Sequence, residues 1–400
     1  MARFQYGGQA LIEGVLMRGK NALAVAIRHP DGSIVWATER LDLGLRARRA
    51  MKLPLVRGLV LLYDTLVTGT RWLVRSATLQ ALAIEEAEAN RAAGKGPGAG
   101  SVGQSLLGSI VASVVRSPLA WLTAVEPTGT PGVPPAGYSD PDSGTATAVE
   151  TSKAEQGLGK GYGVAIGGML ILSFALGVGI FFLLPLFLAQ ATVGRVNQGL
   201  GLQLSEGFIR VVIFVGYLLL MGRASDVRRT FQYHGAEHMS IHTLEGGDPL
   251  TTEAARKYTT AHPRCGTEFL VVVLIVSIFA FALIGSLPPL WLVISRVILV
   301  PVIAAISYEI LQFGARHRDY ALVRALWSPG IWVQMITTKQ PTDDMIEVAI
   351  VSLQRALAAD GADIPAGSMD FASRPMYPEP AAVTAVAVEP QPTAGPGGRK

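Results

Sequence analysis

FQYHGAEHMSIHTLEGGDPLTTEAARKYTTAHPRCGTE, residues 231–268, is a polar stretch with long apolar runs on both sides. Four of the chain's six histidines fall in it: His234, His238, His242 and His262. The single cysteine, Cys265, lies there too, with Glu237 and Glu245. The flanking runs are long enough to cross a bilayer as helices, so the stretch reads as a ligand-rich connection between two membrane spans.

Read as a helix, 234–245 puts positions 234, 238, 242 and 245 on one face, at about 100° per residue. His234 and His238 stand one turn apart, a spacing at which two imidazoles can chelate one metal ion. His234-Gly235-Ala236-Glu237-His238 spells H-x-x-E-H, the inverted zinc-hydrolase motif. There the histidines bind Zn²⁺, and the glutamate accepts a proton from a water that the metal has acidified to a pKa of roughly 7. His234 and His242 are separated by about 12 Å of helix axis. The three histidines therefore do not share one ion: one of them supports the others, or there are two metals.

Gly246-Gly247 supplies a C-terminal cap and Asp248-Pro249 a turn. Thr251 or Thr252 caps a second helix, expected to run to about Thr260, with Glu253 in its first turn. Two antiparallel helices of similar length return His262 and Cys265 to the side of His234, and His262-x-x-Cys265 has the spacing of a compact metal knuckle. Zn²⁺ or another divalent transition metal is the expected cofactor. The competing reading is a polar hairpin with solvated histidines.

These residues, with GGQALIEGVLMRG at 7–19, resemble the YqhQ-like family of bacterial membrane proteins. The resemblance runs through 5–84 and 160–357. It includes YHGAEH at 233–238, HPRCGTEFL at 262–270, YE at 308–309 and IEVAI at 346–350. It implies a metal-dependent enzyme in a bacterial membrane, and no particular substrate.

Half the residues are hydrophobic and the mean hydropathy is +0.38, as in an integral membrane protein. The net charge of +4 is small, and the basic residues flank hydrophobic segments instead of forming a stripe, so nucleic acid is not an expected partner. One cysteine excludes an intramolecular disulfide. Residues 1–20 lack the apolar core of a signal peptide, so the N-terminal unit is expected in the cytoplasm.

Residues 1–50 read as a β-rich unit, with strands over 22–29 and 33–38 joined at Pro30-Asp31-Gly32. Glu13 is expected either to pair with Arg18 or Arg57 at a strand edge, or to be delivered to the site as a carboxylate from another domain. Residues 54–84 read as a helix with a polar stripe of Arg57, Asp64 and Arg71, with Arg75 a turn beyond. A lone span with a central Asp is costly, so this helix is expected at the membrane interface or against the bundle. Residues 87–160 read as a Gly-, Pro- and Ala-rich linker insertion, with an amphipathic helix over 105–125.

The fold class is thus an α-helical integral membrane protein with four spans, near 163–189, 207–222, 269–287 and 290–312, and a small β-containing N-terminal domain. Arginines in the 223–268 hairpin and after 312 place both flanks, and both termini, in the cytoplasm by the positive-inside rule. The setting is then the bacterial inner membrane. Tyr308-Glu309 lies near the cytoplasmic end of the fourth span, at the expected depth of His234, His262 and Cys265. Glu309 reads as a ligand, a proton-transfer group or an arginine partner. Arg296 is expected to snorkel or pair, and the spans show little else that is polar. Residues 313–360 form a cytoplasmic tail, with Trp327 and Trp332 at the membrane surface and a helix over 343–359; 361–400 reads as disordered.

These features support a hydrolase in which His234 and His238 bind the metal and Glu237 is the general base. A third ligand comes from His262, Glu309, Glu245 or Cys265. His242, Tyr308 and Glu13 are supporting candidates. The substrate would be a membrane peptide, a lipid or a lipid-linked molecule. A closed set of His234, His238, His262 and Cys265 would instead make a metal-stapled scaffold or sensor. A small transporter is a third reading, and requires a homo-oligomer.

Overall fold

The computed structural model describes residues 6–41, 50–92, 172, 175–193, 200–262, 265–284, 287–317 and 319–376. Four strands, β1 (Gly7–Leu11), β2 (Gly14–Arg18), β3 (Ala22–Arg28) and β4 (Ile34–Arg40), form an antiparallel meander. A short fifth strand, β5 (Ser373–Pro375), joins β4 in parallel. Nine helices follow the meander among the described residues: α1 (Val56–Ala92), α2 (Leu184–Thr192), α3 (Leu200–Met221), α4 (Ser225–Gly246), α5 (Thr252–Ala255), α6 (Gly266–Ile284), α7 (Pro289–Arg316), α8 (Ala321–Thr337) and α9 (Asp343–Asp360). A π-helical turn, Gly179–Leu183, leads into α2.

The sheet is covered on both faces, which is why ALAVAI at 22–27 of β3 is apolar throughout instead of alternating. On one face Val15, Met17, Ala24 and Ala26 pack against Ile346, Ile350, Leu353 and Leu357 of α9 and Tyr233 and Ala236 of α4. On the other, Leu16, Leu23, Val25 and Ile27 pack against Trp72 of α1. The buried face of α9 recurs at helical period, as its sequence predicts.

The stripe on α1 joins three separate elements. Arg57 pairs with Glu309 of α7, Asp64 with Arg18 of β2 at 2.6 Å, and Arg71 with Glu39 of β4. The helix lies against the bundle, and its charged residues dock the sheet and α7 along one rod.

Among the described residues, four helices are long and apolar enough to cross a membrane: Ala175–Thr192, Gly201–Met221, Gly266–Ile284 and Leu290–Arg316. Their interior is more polar than expected. Glu206, Arg210 and Arg296 are all buried, with one carboxylate between two guanidinium groups. Arg296 Nη2 donates to Glu206 Oε2 at 2.7 Å, and Arg210 Nη2 donates to Oε1. Arg210 also donates to Ser277 Oγ at 3.0 Å and to Phe181 O at 3.1 Å, and both guanidinium groups lie over the Phe281 ring. The cluster ties α3, α6, α7 and the π turn together. Arg296 therefore pairs, and Glu309 is not the main charged group of the spans.

Other expectations change too. The second helix of the hairpin is one turn long and ends at Ala255, well short of Thr260. The chain after Gly361 is described as far as 376 and contributes β5, so it is not disordered from 361. The linker beyond residue 92, the helix over 105–125 and the tail from 377 lie outside the described residues.

Removing one partner from a buried charge cluster leaves the others uncompensated. Glu206→Gln is expected to cost about 3–5 kcal/mol. Arg256→Ala, which breaks the exposed pair with Asp343, should cost under about 1 kcal/mol. Thermal or denaturant unfolding in detergent checks both.

Candidate metal centre

α4 starts three residues after the span α3 and carries H-x-x-E-H at its middle. Gly247, at φ 77°, stops the helix in the left-handed conformation that favours glycine. Thr251 then caps α5, its side chain accepting from Ala254 N at 3.1 Å. Beyond α5 the chain returns along α4 without regular structure as far as His262, and Cys265 sits at the N-terminal end of α6.

This return holds the histidines. His238 Nδ1–H donates to Thr260 O at 2.6 Å, and His242 Nε2–H donates to Ala261 O at 2.9 Å. His234 Nδ1–H donates to Thr337 O, at the end of α8, at 3.0 Å. A carbonyl oxygen only accepts, so each bond fixes a tautomer. In His234 and His238 it leaves Nε2 with the lone pair, the orientation that metal-binding imidazoles take when the outer nitrogen is tied to a carbonyl.

The two Nε2 atoms face the same place. His234 Nε2 lies 3.1 Å from Cys265 Sγ. Glu237 Oε2 stands 4.0 Å from His234 Nε2 and 3.8 Å from His238 Nε2. His234, His238 and Cys265 offer ligand atoms within 4.8 Å of one another. Two neutral imidazoles and a thiol suit a zinc-type divalent ion.

Burial sets the protonation of this group. It pushes Glu237 up to about 7, against the pull of His234 and the Gly8 N–H. It pushes His238 down to about 2 and the Cys265 thiol up to about 12. Burial thus favours the neutral forms of His238 and Cys265, and a bound cation would reverse that preference for the thiol.

His242, Glu245 and His262 form a second group, also with ligand atoms within 4.8 Å. His262 Nε2 lies 3.3 Å from Glu245 Oε2, and its backbone N–H donates to Gln334 Oε1 at 3.0 Å. The anticipated His262-x-x-Cys265 knuckle is thus divided: Cys265 meets His234, and His262 meets His242 and Glu245. The short α5 ends at Ala255, and the chain from there to His262 is irregular, so a helix does not set where His262 and Cys265 fall along α4.

The remaining candidates have structural partners. Both Glu309 oxygens accept from Arg57, and Leu55 N–H donates to Oε1 at 3.0 Å. Glu309 belongs to neither ligand group. Tyr308 accepts from Gln312 at 2.7 Å and packs on Gly58, so this pair docks α1 on α7. Glu13 sits in the turn between β1 and β2 at φ 55° and pairs with Arg229, while Tyr233 O–H donates to it at 3.1 Å. It does not pair with Arg18 or Arg57, whose partners are Asp64 and Glu309. Its bond to α4 seats the sheet on the helix one turn before His234.

Several contributors were not visible in the sequence. Gln334, fully buried, positions the His262 backbone, and its Nε2 meets no acceptor among the described residues. The carbonyls of Thr260, Ala261 and Thr337 and the N–H of Gly8 carry no side-chain signal. Gln334, a polar residue inside the apolar run of α8, was the one readable cue.

The family described as a protein of unknown function, DUF1385, matches residues 53–359. The chain is 30% identical over 353 residues to the uncharacterized protein YqhQ of Bacillus subtilis (strain 168), a match covering 88% of this chain and 92% of that one. No solved structure matches. The chain belongs to the DUF1385 family.

Gly235 marks the tightest contact of the motif helix. A Cβ there would stand 2.2 Å from Lys339 O, and Lys339 N–H donates to Phe231 O at 2.9 Å. Gly235→Ala is expected to cost about 1–3 kcal/mol by overpacking. Since Thr337 lies two residues before Lys339, it should also weaken metal binding without touching a ligand. Unfolding and metal titration of the purified variant test both effects.

Proposed function

We propose that this member of the DUF1385 family is a metal-dependent hydrolase of the bacterial inner membrane, working at the cytoplasmic surface through the H-x-x-E-H helix. One observation carries the reading. The Nε2 lone pairs of His234 and His238 are aimed at one place by carbonyl bonds, and Glu237 Oε2 lies about as near to each of them. His234, His238 and Cys265 would hold the ion, with zinc the best match to the donors.

When bound, such an ion supplies Lewis acidity toward water and toward a carbonyl or phosphoryl oxygen. Glu237 takes the proton from the attacking water and returns it to the leaving group. The Gly8 N–H on this carboxylate fixes its direction. His234 and His238 each keep the outer ring proton on a carbonyl.

Three ligands leave a fourth position for water or substrate, as catalytic zinc sites do. A closed scaffold site would need His262 as the fourth ligand, and His262 is engaged with Glu245 instead. This favours the enzyme over the scaffold. The placement favours a membrane substrate: α4 follows one span by three residues, and Cys265 immediately precedes another. Beside them α8 exposes Leu322, Leu326, Trp332 and Met335, an apolar face suited to the bilayer interface. Arginines 223, 228, 229, 256 and 316 near these ends of the spans support a cytoplasmic site by the positive-inside rule. A membrane peptide, a lipid or a lipid-linked molecule is the substrate class.

The test uses detergent-purified protein with labelled phospholipids and quenched fluorogenic membrane peptides in mixed micelles. Glu237→Gln should keep the bound zinc and lose hydrolysis by about 10²–10⁴-fold, the usual contribution of a general base. His238→Ala should lose both. A wild type that neither carries nor rebinds metal, or a fully active Glu237→Gln, would sink the proposal.

A further inference from the structure

We infer that His242, Glu245 and His262 form a second divalent-cation site, one that the H-x-x-E-H motif does not include. His242 and Glu245 lie on the same face of α4 as His234 and His238. They are too far along the axis to serve the same ion, since two helical turns separate His234 from His242. The return segment supplies a partner at each level. Cys265 stands at the level of His234, and His262 at the level of His242, with ring centroids 4.5 Å apart.

The second group is built with the same care as the first. The His242 ring is fixed by its Nε2–H bond to Ala261 O and by Tyr258, stacked on it at 5.9 Å with the planes 5° apart. Tyr258 is itself held by donating to Asp248 at 3.0 Å, and it lies over Gly246 so closely that a Cβ there would meet its hydroxyl at 1.9 Å. His262 is buried and its backbone is pinned by Gln334. Two adjacent histidines with a carboxylate 3.3 Å from one ring are a two-nitrogen, one-oxygen donor set, which recurs in catalytic zinc sites.

The two sites differ in character. The first has a sulfur donor and is enclosed. The second has no sulfur, and its Glu245 side chain is 35% exposed, so it suits a harder, more exchangeable divalent ion such as Mn²⁺, Fe²⁺ or Zn²⁺. They adjoin through His238 and His262, whose ring centroids are 5.6 Å apart. A second cation beside the first would favour substrates carrying an anionic group.

Cobalt separates the two sites, because only a thiolate ligand gives a sulfur-to-cobalt charge-transfer band. Full-length protein in detergent is stripped with a chelator and titrated with Co²⁺. Bound cobalt is counted by equilibrium dialysis, and the charge-transfer band reports Cys265. The expected result is two bound ions, with charge transfer complete after one. His242→Ala and Glu245→Gln should each remove one ion and leave the charge transfer intact. Glu245→Gln changes a partly exposed side chain and guards against misfolding of the histidine variant. A wild type that binds one ion with full charge transfer, or variants that still bind two, would overturn the second site and leave the hydrolase reading standing. One ion without charge transfer, lost in His242→Ala, would uphold the second site and overturn the first. No bound cobalt would overturn both.

Discussion

The bonds between imidazole N–H groups and backbone carbonyls are the constraint on which the rest of the centre depends. A buried histidine must place its ring proton on an acceptor, or lose the hydration it gave up. Here the acceptors are main-chain oxygens of two segments, 260–261 and the end of α8. Backbone acceptors cannot turn as a side chain can, so they fix the tautomer and the ring plane together. The return after α5 is irregular over residues 256–262, and its Thr260 and Ala261 carbonyls are turned to these rings.

The same requirement explains the close packing around α4. Its His234 acceptor is reached only because residues 337–339 pass against Gly235, with no room for a side chain. On the opposite flank, β1 approaches so closely that a Cβ at Gly8 would stand 3.0 Å from Glu237 Cγ. Glycine in the two motifs, GGQ and HGAEH, is thus a condition for bringing three backbones together. Glu13 and Arg229 add an ion pair at the edge of this contact, worth about 0–1 kcal/mol where it is exposed, and it orients the sheet more than it stabilises it.

Much of this was legible in the sequence. The apolar runs showed the four spans, the alternation and turn at Pro30-Asp31-Gly32 showed the last two strands of the meander, and H-x-x-E-H showed the histidine face of α4. What remained hidden depends on contacts between distant residues. Arg57, Asp64 and Arg71 read as a stripe, but nothing local said that their partners would be Glu309, Arg18 and Glu39. Glu309 looked like a candidate ligand because a lone carboxylate in an apolar run usually signals function, and its arginine lies 252 residues away. Glu206 and Arg296 are 90 residues apart, and Glu206 lies just outside the span expected over 207–222, so nothing local linked the two. The division of His262 from Cys265 followed from the length of α5, and element boundaries are what sequence patterns resolve least well.

The small sheet and the membrane helices are therefore one functional unit. Glu237 is held between them, on α4 by its own backbone and from β1 by the Gly8 N–H. The sheet in turn is fixed by α9 on one face and by Trp72 of α1 on the other, and α1 is anchored to the fourth span through Arg57 and Glu309. Glu309 thus supports the site without entering it. A displacement of the sheet along α1 would be felt at Glu237 before it was felt at the histidines, because the histidine acceptors all come from the α4 return and α8. The arrangement divides the support: the membrane-proximal segments orient the candidate metal ligands, and the N-terminal sheet orients Glu237.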